Sequence, residues 1–193
     1  AGTCLWAQQG GSTTTTGDRG SGVGIDASGN AYLTGYFSGT ATFGSIVITS
    51  TGGGTDYDAF IAKYNSTGTI QWMKKGGTSS FGDMGKGIAT DAAGNSYIVG
   101  ITQNTSAWGA LLLSSAGSTD GFLTKYNSSG TEQWVRALGG LAAESANAVC
   151  IEPSSGNVFV AASSAGSTFT VGSTSLTGFG SSGQTFIAWY TSG

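Results

Sequence analysis

The chain of 193 residues contains no histidine, one proline, two cysteines and only 9% charged residues. Each shortage excludes something. Without histidine the commonest general base is gone, and with it the nucleophile–histidine pairs of hydrolases and the usual nitrogen ligand of a zinc site. Seven Lys and Arg stand against ten Asp and Glu, a net charge of −3, where a nucleic-acid partner demands a basic footprint. No apolar run approaches the roughly 20 residues of a membrane helix, so no membrane span is expected. Cys4 and Cys150 make no disulfide scaffold, and no C-x-x-C motif accompanies them. A bond between the two is left open, since both align with small or apolar packing positions, Ile70 and Ala89.

What the chain has in quantity is glycine, 35 residues, together with five Trp, nine Phe and seven Tyr. Gly/Ser/Thr-rich stretches between short aromatic and β-branched runs read as many strands joined by turns. One passage is written three times. DAFIAKYNSTGTIQW (58–72) recurs as DGFLTKYNSSGTEQW (120–134), then starts again as QTFIAWYTSG (184–193). The closing piece of that third copy, TCLW, stands at residues 3–6. Trp6, Trp72 and Trp134 mark a period of roughly 60 residues. After each comes a Gly pair (10–11, 76–77, 139–140), then an acid at Asp18, Asp83 and Glu144, then a short apolar run. A Gly-Asn turn at 29–30, 94–95 and 156–157 leads into AYLTGYF, SYIVGIT and VFVAASS, a hairpin signature because both residues tolerate positive φ. A longer connection carries Phe43, Trp108 and Phe169, expected in one equivalent place.

A second hairpin closes each unit through NSTG (65–68) or its copy. Alternation puts Phe60, Ala62 and Tyr64 on one face, with Ile61 and Lys63 on the other. Pairing Tyr64 with Thr69 would set Ile61 opposite Trp72 and Lys63 opposite Ile70. Apolar residues on both faces imply sheets that bury both faces, so the expected class is all-β: propeller blades of four strands, the last strand bearing the Trp. The passages 26–44 and 58–72 and their copies resemble the bacterial β-propeller repeat family abbreviated SBBP, over nearly the whole chain. That resemblance implies propeller blades and a secreted protein, and no single activity. A β-prism-like domain of three sheets is the alternative fold.

The expected division is a single domain, 1–193, with 9–74, 75–137 and 138–193 as the three repeats. Residues 1–8 form the closing strand of the third repeat, in the same chain or a neighbouring one. Three blades fall short of the roughly four to eight that close a propeller, and an open strand edge pairs with whatever strand is available. The expected function is therefore non-enzymatic self-assembly by strand complementation, into a ring or an extracellular filament. Thr3, Cys4, Leu5, Trp6, Ala7 and Gln8 form the donor strand; Phe186, Ile187, Ala188, Trp189 and Tyr190 form the acceptor. Trp189 replaces Lys63 and Lys125, and Cys4-Leu5 replaces Ile70-Gln71, so the seam loses charge and gains apolar surface.

Eight of the ten acids sit at repeat-equivalent positions, which suits turns rather than one catalytic constellation. The D-A-S-G-N and D-A-A-G-N turns lack the alternating acids and closing Glu of an EF-hand, so no metal, catalytic residue or cofactor is expected. Asn65, Asn104 and Asn127 open N-x-S/T sequons, read first as turn residues. Ala1 without an initiator Met, low charge and Ser/Thr richness suggest a processed, extracellular or cell-surface protein. The partner is thus the chain itself, with glycans next: a lectin-like module, for which Trp108 offers a stacking ring, is the alternative function. A fragment of a larger propeller enzyme is the distant one.

Overall fold

The structure, a computed structural model, describes residues 2–14, 17–79, 82–178 and 183–192. Every regular element among them is a strand, and all the paired strands run antiparallel. In chain order these are β1 (Gly10–Ser12), β2 (Arg19–Ile25), β3 (Ala31–Ser38), β4 (Thr40–Phe43), β5 (Ile46–Thr49) and β6 (Tyr57–Tyr64). Next come β7 (Ile70–Gly77), β8 (Met84–Thr90), β9 (Ser96–Thr102), β10 (Thr105–Trp108), β11 (Leu111–Ser114) and β12 (Asp120–Tyr126). The last are β13 (Glu132–Gly139), β14 (Glu144–Ile151), β15 (Val158–Ser164), β16 (Thr168–Val171), β17 (Thr174–Thr177) and β18 (Gln184–Tyr190).

The first repeat is the meander β2-β3-β6-β7 and the second is β8-β9-β12-β13. The third reads β14-β15-β18, and among the described residues no strand pairs beyond β18. Among the described residues none of the sheets closes into a barrel. The long connection in each repeat is a small hairpin, and it leaves its own meander. Hairpin β10–β11 joins β7 of the repeat before it, β16–β17 joins β13, and β4–β5 joins β1. Repeats 2 and 3 are thereby each sewn to the repeat before them by main-chain hydrogen bonds, a link the local sequence pattern did not announce.

Glycine makes that sewing fit. Trp108 of β10 lies over Gly76, where a Cβ would come within 2.2 Å of the indole. Phe43 lies over Gly10 in the same way. In the third hairpin the place belongs to Val171, paired with Leu138, so a large residue and its small partner have exchanged sides. Phe169, expected there, sits two residues earlier, against Phe186 with ring centroids 4.3 Å apart.

The closing hairpins also differ from expectation, by one residue at Tyr64 and by two beyond it. Lys63 pairs with Trp72 and Tyr64 with Ile70, because a bulge at Gln71 absorbs one position. The second repeat repeats the bulge, with Lys125 on Trp134 and Tyr126 on Glu132. The Asn65 side chain holds the turn, accepting from the amides of Thr67 and Thr69 at 3.1 and 2.8 Å. Thr69 is thereby committed to the turn rather than to Tyr64.

Both faces of the second meander are buried, as the alternation implied, one against each neighbouring repeat. Tyr32, Ala59 and Ile61 of repeat 1 pack with Ile88, Ile98 and Phe122 of repeat 2. Tyr97, Val99 and Leu123 of repeat 2 pack in turn with Val158, Val160 and Phe186 of repeat 3. Phe37, Phe43, Phe60, Ala62, Tyr64 and Met73 form a third cluster, on the face of repeat 1 turned away from repeat 2.

Candidate functional site

The chemistry that recurs is the joint between repeats. Asp26 opens the turn into β3, and its carboxylate accepts from the Ser28 and Asn30 amides, the Asn30 side chain and the Tyr32 hydroxyl. Desolvation pushes its pKa up, but those hydrogen bonds together outweigh it and hold the group below the usual carboxylate value. Lys63 lies across Tyr32, its Nζ 5.1 Å from the ring centroid and 4.0 Å from Asp26 Oδ2. From there the ammonium donates to the Ser128 carbonyl of repeat 2 at 3.1 Å. Trp72 Nε1 donates to the same carbonyl at 3.2 Å, with its ring over Gly130. Gly130 has φ +79° and no room for a Cβ beneath the indole, so glycine is required there twice over.

The second joint repeats the first. Lys125 lies 5.4 Å from the Tyr97 centroid and donates to the Ser192 carbonyl of repeat 3 at 2.5 Å. Asp91 holds its turn through the Asn95 amide and side chain. Asp, Tyr and Lys together could pass for proton-transfer machinery. Here Lys63 and Lys125 reach across to hold the next repeat, and the Asp carboxylates hold their own turns. In repeat 3 the three positions read Glu152, Phe159 and Trp189, and the last two stack with centroids 6.2 Å and planes 10° apart.

A second set of acids works at the other end of each joint. Asp83 donates its amide to the Tyr57 carbonyl of repeat 1, and Glu144 does the same to Thr119 of repeat 2, each at 2.8 Å. The Asp83 carboxylate accepts from the Thr78 amide at 2.8 Å and the Thr102 hydroxyl at 2.5 Å. Burial, with the charge of Asp58 added, still pushes it up to about 6. Asp58 is itself fully buried, paired with Lys75 at 3.0 Å. Burial likewise raises Asp120, next to Glu144. In the third repeat the residue equivalent to Asp58 and Asp120 is the neutral Gln184.

The expected assembly residues lie in two separate places. Thr3, Cys4, Leu5, Trp6, Ala7 and Gln8 run exposed alongside repeat 1, outside any ladder, before β1 begins at Gly10. Leu5 is 90% exposed, while Trp6 covers Gly68 and stacks on Tyr64 at 6.1 Å. Trp6 therefore occupies, on repeat 1, the position that Trp72 holds on repeat 2. Phe186 and Ala188 are buried against repeat 2, Tyr190 is half-buried, and Ile187 and Trp189 stand 71% and 65% exposed. The described residues of 3–8 make no pairing with β18, whose ladder partner is β15.

Beside β18 runs a groove of about 360 Å³, lined by Val171, Ser173, Leu176, Ile187 and Trp189 among others. In the other repeats β5 lies against β7 and β11 against β13. The groove is the equivalent place beside β17, and the Tyr190 hydroxyl there is buried without a hydrogen-bond partner. Cys4 and Cys150 are both exposed and free. Asn127, like Asn65, folds its side chain onto its own turn, while Asn104 takes a left-handed φ of 52°.

No protein-family model matches the chain, and no curated protein matches it. Among solved structures the chain is similar to a protein of unknown function from Bacteroides caccae, at 11% identity and a TM-score of 0.35. The likeness covers 84% of this chain, which spans 62% of that one, and at this level it says nothing about function.

Proposed function

We infer that the chain is a non-enzymatic, secreted protein of SBBP-type propeller blades, assembled copy to copy by strand complementation. The observation that carries this is a place filled twice and open once. Strands β7 and β13 close the first two meanders, each bearing a tryptophan, and Trp72 covers the turn of the next repeat. Beyond β18 the edge and its groove stand open among the described residues. Residues 3–8 carry the matching Trp-containing segment, outside any ladder, with its tryptophan already seated on repeat 1. Transferring the register of Lys63–Trp72 and Ala62–Met73 sets Trp189 opposite Trp6 and Ala188 opposite Ala7. Burial of Leu5 and Trp6 in such a joint contributes about 1.5–3 kcal/mol for each large side chain.

The test is particle mass. By light scattering the 193-residue protein is expected to exceed one chain, and a variant lacking residues 1–8 to fall to one chain or fail to fold. A truncated protein that stays folded at the parent's mass overturns strand exchange. Glycan-array binding by the parent, without self-association, would favour the lectin-like alternative instead.

A further inference from the structure

We propose that copies also meet face to face, the outer face of repeat 3 on one molecule covering the outer face of repeat 1 on the next. Two apolar faces stand open at opposite ends of the stack. On repeat 1, Val23 and Ile25 of β2 are 69% and 66% exposed. On repeat 3, Ile187 and Trp189 are exposed to the same degree, beside the half-buried Phe159.

The repeats show what these faces do when they are covered. Val23 is equivalent to Ile88, which packs with Tyr32 and Ile61 of repeat 1, and to Val149, which packs on the cluster shared with repeat 2. Ile25 is equivalent to Ile151, partly buried in that same cluster. From the other side, Ile187 is equivalent to Ile61 and Leu123, and Phe159 to Tyr32 and Tyr97, all of them buried at internal joints. The two open faces are thus the two halves of a joint this chain makes twice, and a second copy is the partner that supplies the missing half.

Two substitutions fit a joint between copies. Where Asp58 and Asp120 face an acid on the following repeat, Gln184 faces Asp18 of the next molecule, and the like-charge contact disappears. Where Lys63 and Lys125 grip a turn carbonyl, the stacked Phe159–Trp189 pair presents an apolar surface to the Gly29–Ser66 side of the next copy. A joint of unlike faces is heterologous: it closes into a ring or runs on as a filament. This face contact shares its direction with strand exchange and stands or falls separately from it.

Sedimentation velocity on Val23→Asp/Ile25→Asp and on Ile187→Asp/Trp189→Asp tests it, with circular dichroism and melting as folding controls. Each double variant alone is expected to lose the parent's assemblies. An equimolar mixture is expected to recover a two-chain particle and nothing larger, because each molecule keeps one working face. Variants that assemble as the parent does overturn the proposal, as does a mixture that stays monomeric or grows beyond two chains. The serine versions at the same four positions carry the same readout if the aspartates unfold the chain. If only the variant lacking residues 1–8 dissociates, strand exchange stands without the face contact. If that truncation keeps its mass while the face variants dissociate, the face contact stands without strand exchange. A parent that is a single chain at every concentration ends both.

Discussion

The joint between repeats 1 and 2 and the open side of repeat 3 are built on the same strands, yet they carry different chemistry. At the internal joint Ile61 is buried, Lys63 reaches 3.1 Å to a carbonyl of the next repeat, and acids face each other across the seam. At the open side the equivalent isoleucine is 71% exposed, the lysine is Trp189, and one acid is Gln184. A surface made to meet only water would gain charge here, since capping repeats carry a polar outer face. This one loses charge and gains rings. The difference teaches that the internal joints are complete within the chain, and that the exposed face of repeat 3 is the one the proposed assembly would cover.

The largest expected effect separates the two regions directly. Leu123 and Ile187 hold equivalent positions, one fully buried and the other mostly exposed. Leu123→Ala should cost about 4 kcal/mol, within the usual range for a buried leucine. Ile187→Ala should change single-chain stability by less than about 0.5 kcal/mol, as at other exposed sites. Urea midpoints at high dilution measure both. Equal losses would mean that β18 is already covered within one chain.

The next effect tests the acids at the internal joint. Asp83 titrates near 6 in the fold against an ordinary 3.8, so the folded state takes up the proton more readily than the unfolded chain. Its contribution is fully present below about pH 4 and is lost as the pH rises through 6, up to about 3 kcal/mol at 1.36 kcal/mol per unit. Asp120 is raised by burial and acts in the same direction, whereas Asp26 and Glu132 are lowered and act against it. The clean readout is therefore a difference. The gain in stability between pH 7 and pH 5 should shrink in Asp83→Asn, and a parent and variant with the same pH slope would refute the assignment.

Much of this contrast is legible in the sequence alone. The three copies of the closing passage, the Gly-Asn hairpins and the alternation of Phe60, Ile61, Ala62 and Lys63 all depend on local chemistry, and each appears where the pattern put it. The bulge at Gln71 was hidden because the Asn65 side chain, rather than the loop length, decides where the turn ends. The crossing of each small hairpin to the preceding sheet is a non-local pairing, and no window of sequence contains both strands. Its trace was nevertheless present: aligning Gly44, Gly109 and Gly172, the hairpin turns at positive φ, places Val171 and not Phe169 with Phe43 and Trp108. In the sequence Val23 and Ile25 are ordinary strand residues, and their exposure depends on which sheets stand on either side. At the expected assembly site the residues were nameable from the split repeat, but the groove beside β17 needed the fold.

The smallest effect isolates the lysine that the open side has given up. Lys63→Met keeps the stem over Tyr32 and removes the ammonium from the Ser128 carbonyl, which still accepts from Trp72 Nε1. Asp26 keeps its donors from Ser28, Asn30 and Tyr32, so no buried carboxylate is stranded. The loss should therefore sit at the low end for a hydrogen bond from a charged donor, about 1.5 kcal/mol. Trp189→Met at the equivalent position breaks only the stack on Phe159, and in the single chain it should shift the urea midpoint far less. If Trp189→Met costs the single chain as much as Lys63→Met, the ring is holding repeat 3 together rather than waiting at its surface, and the contrast between the two joints disappears.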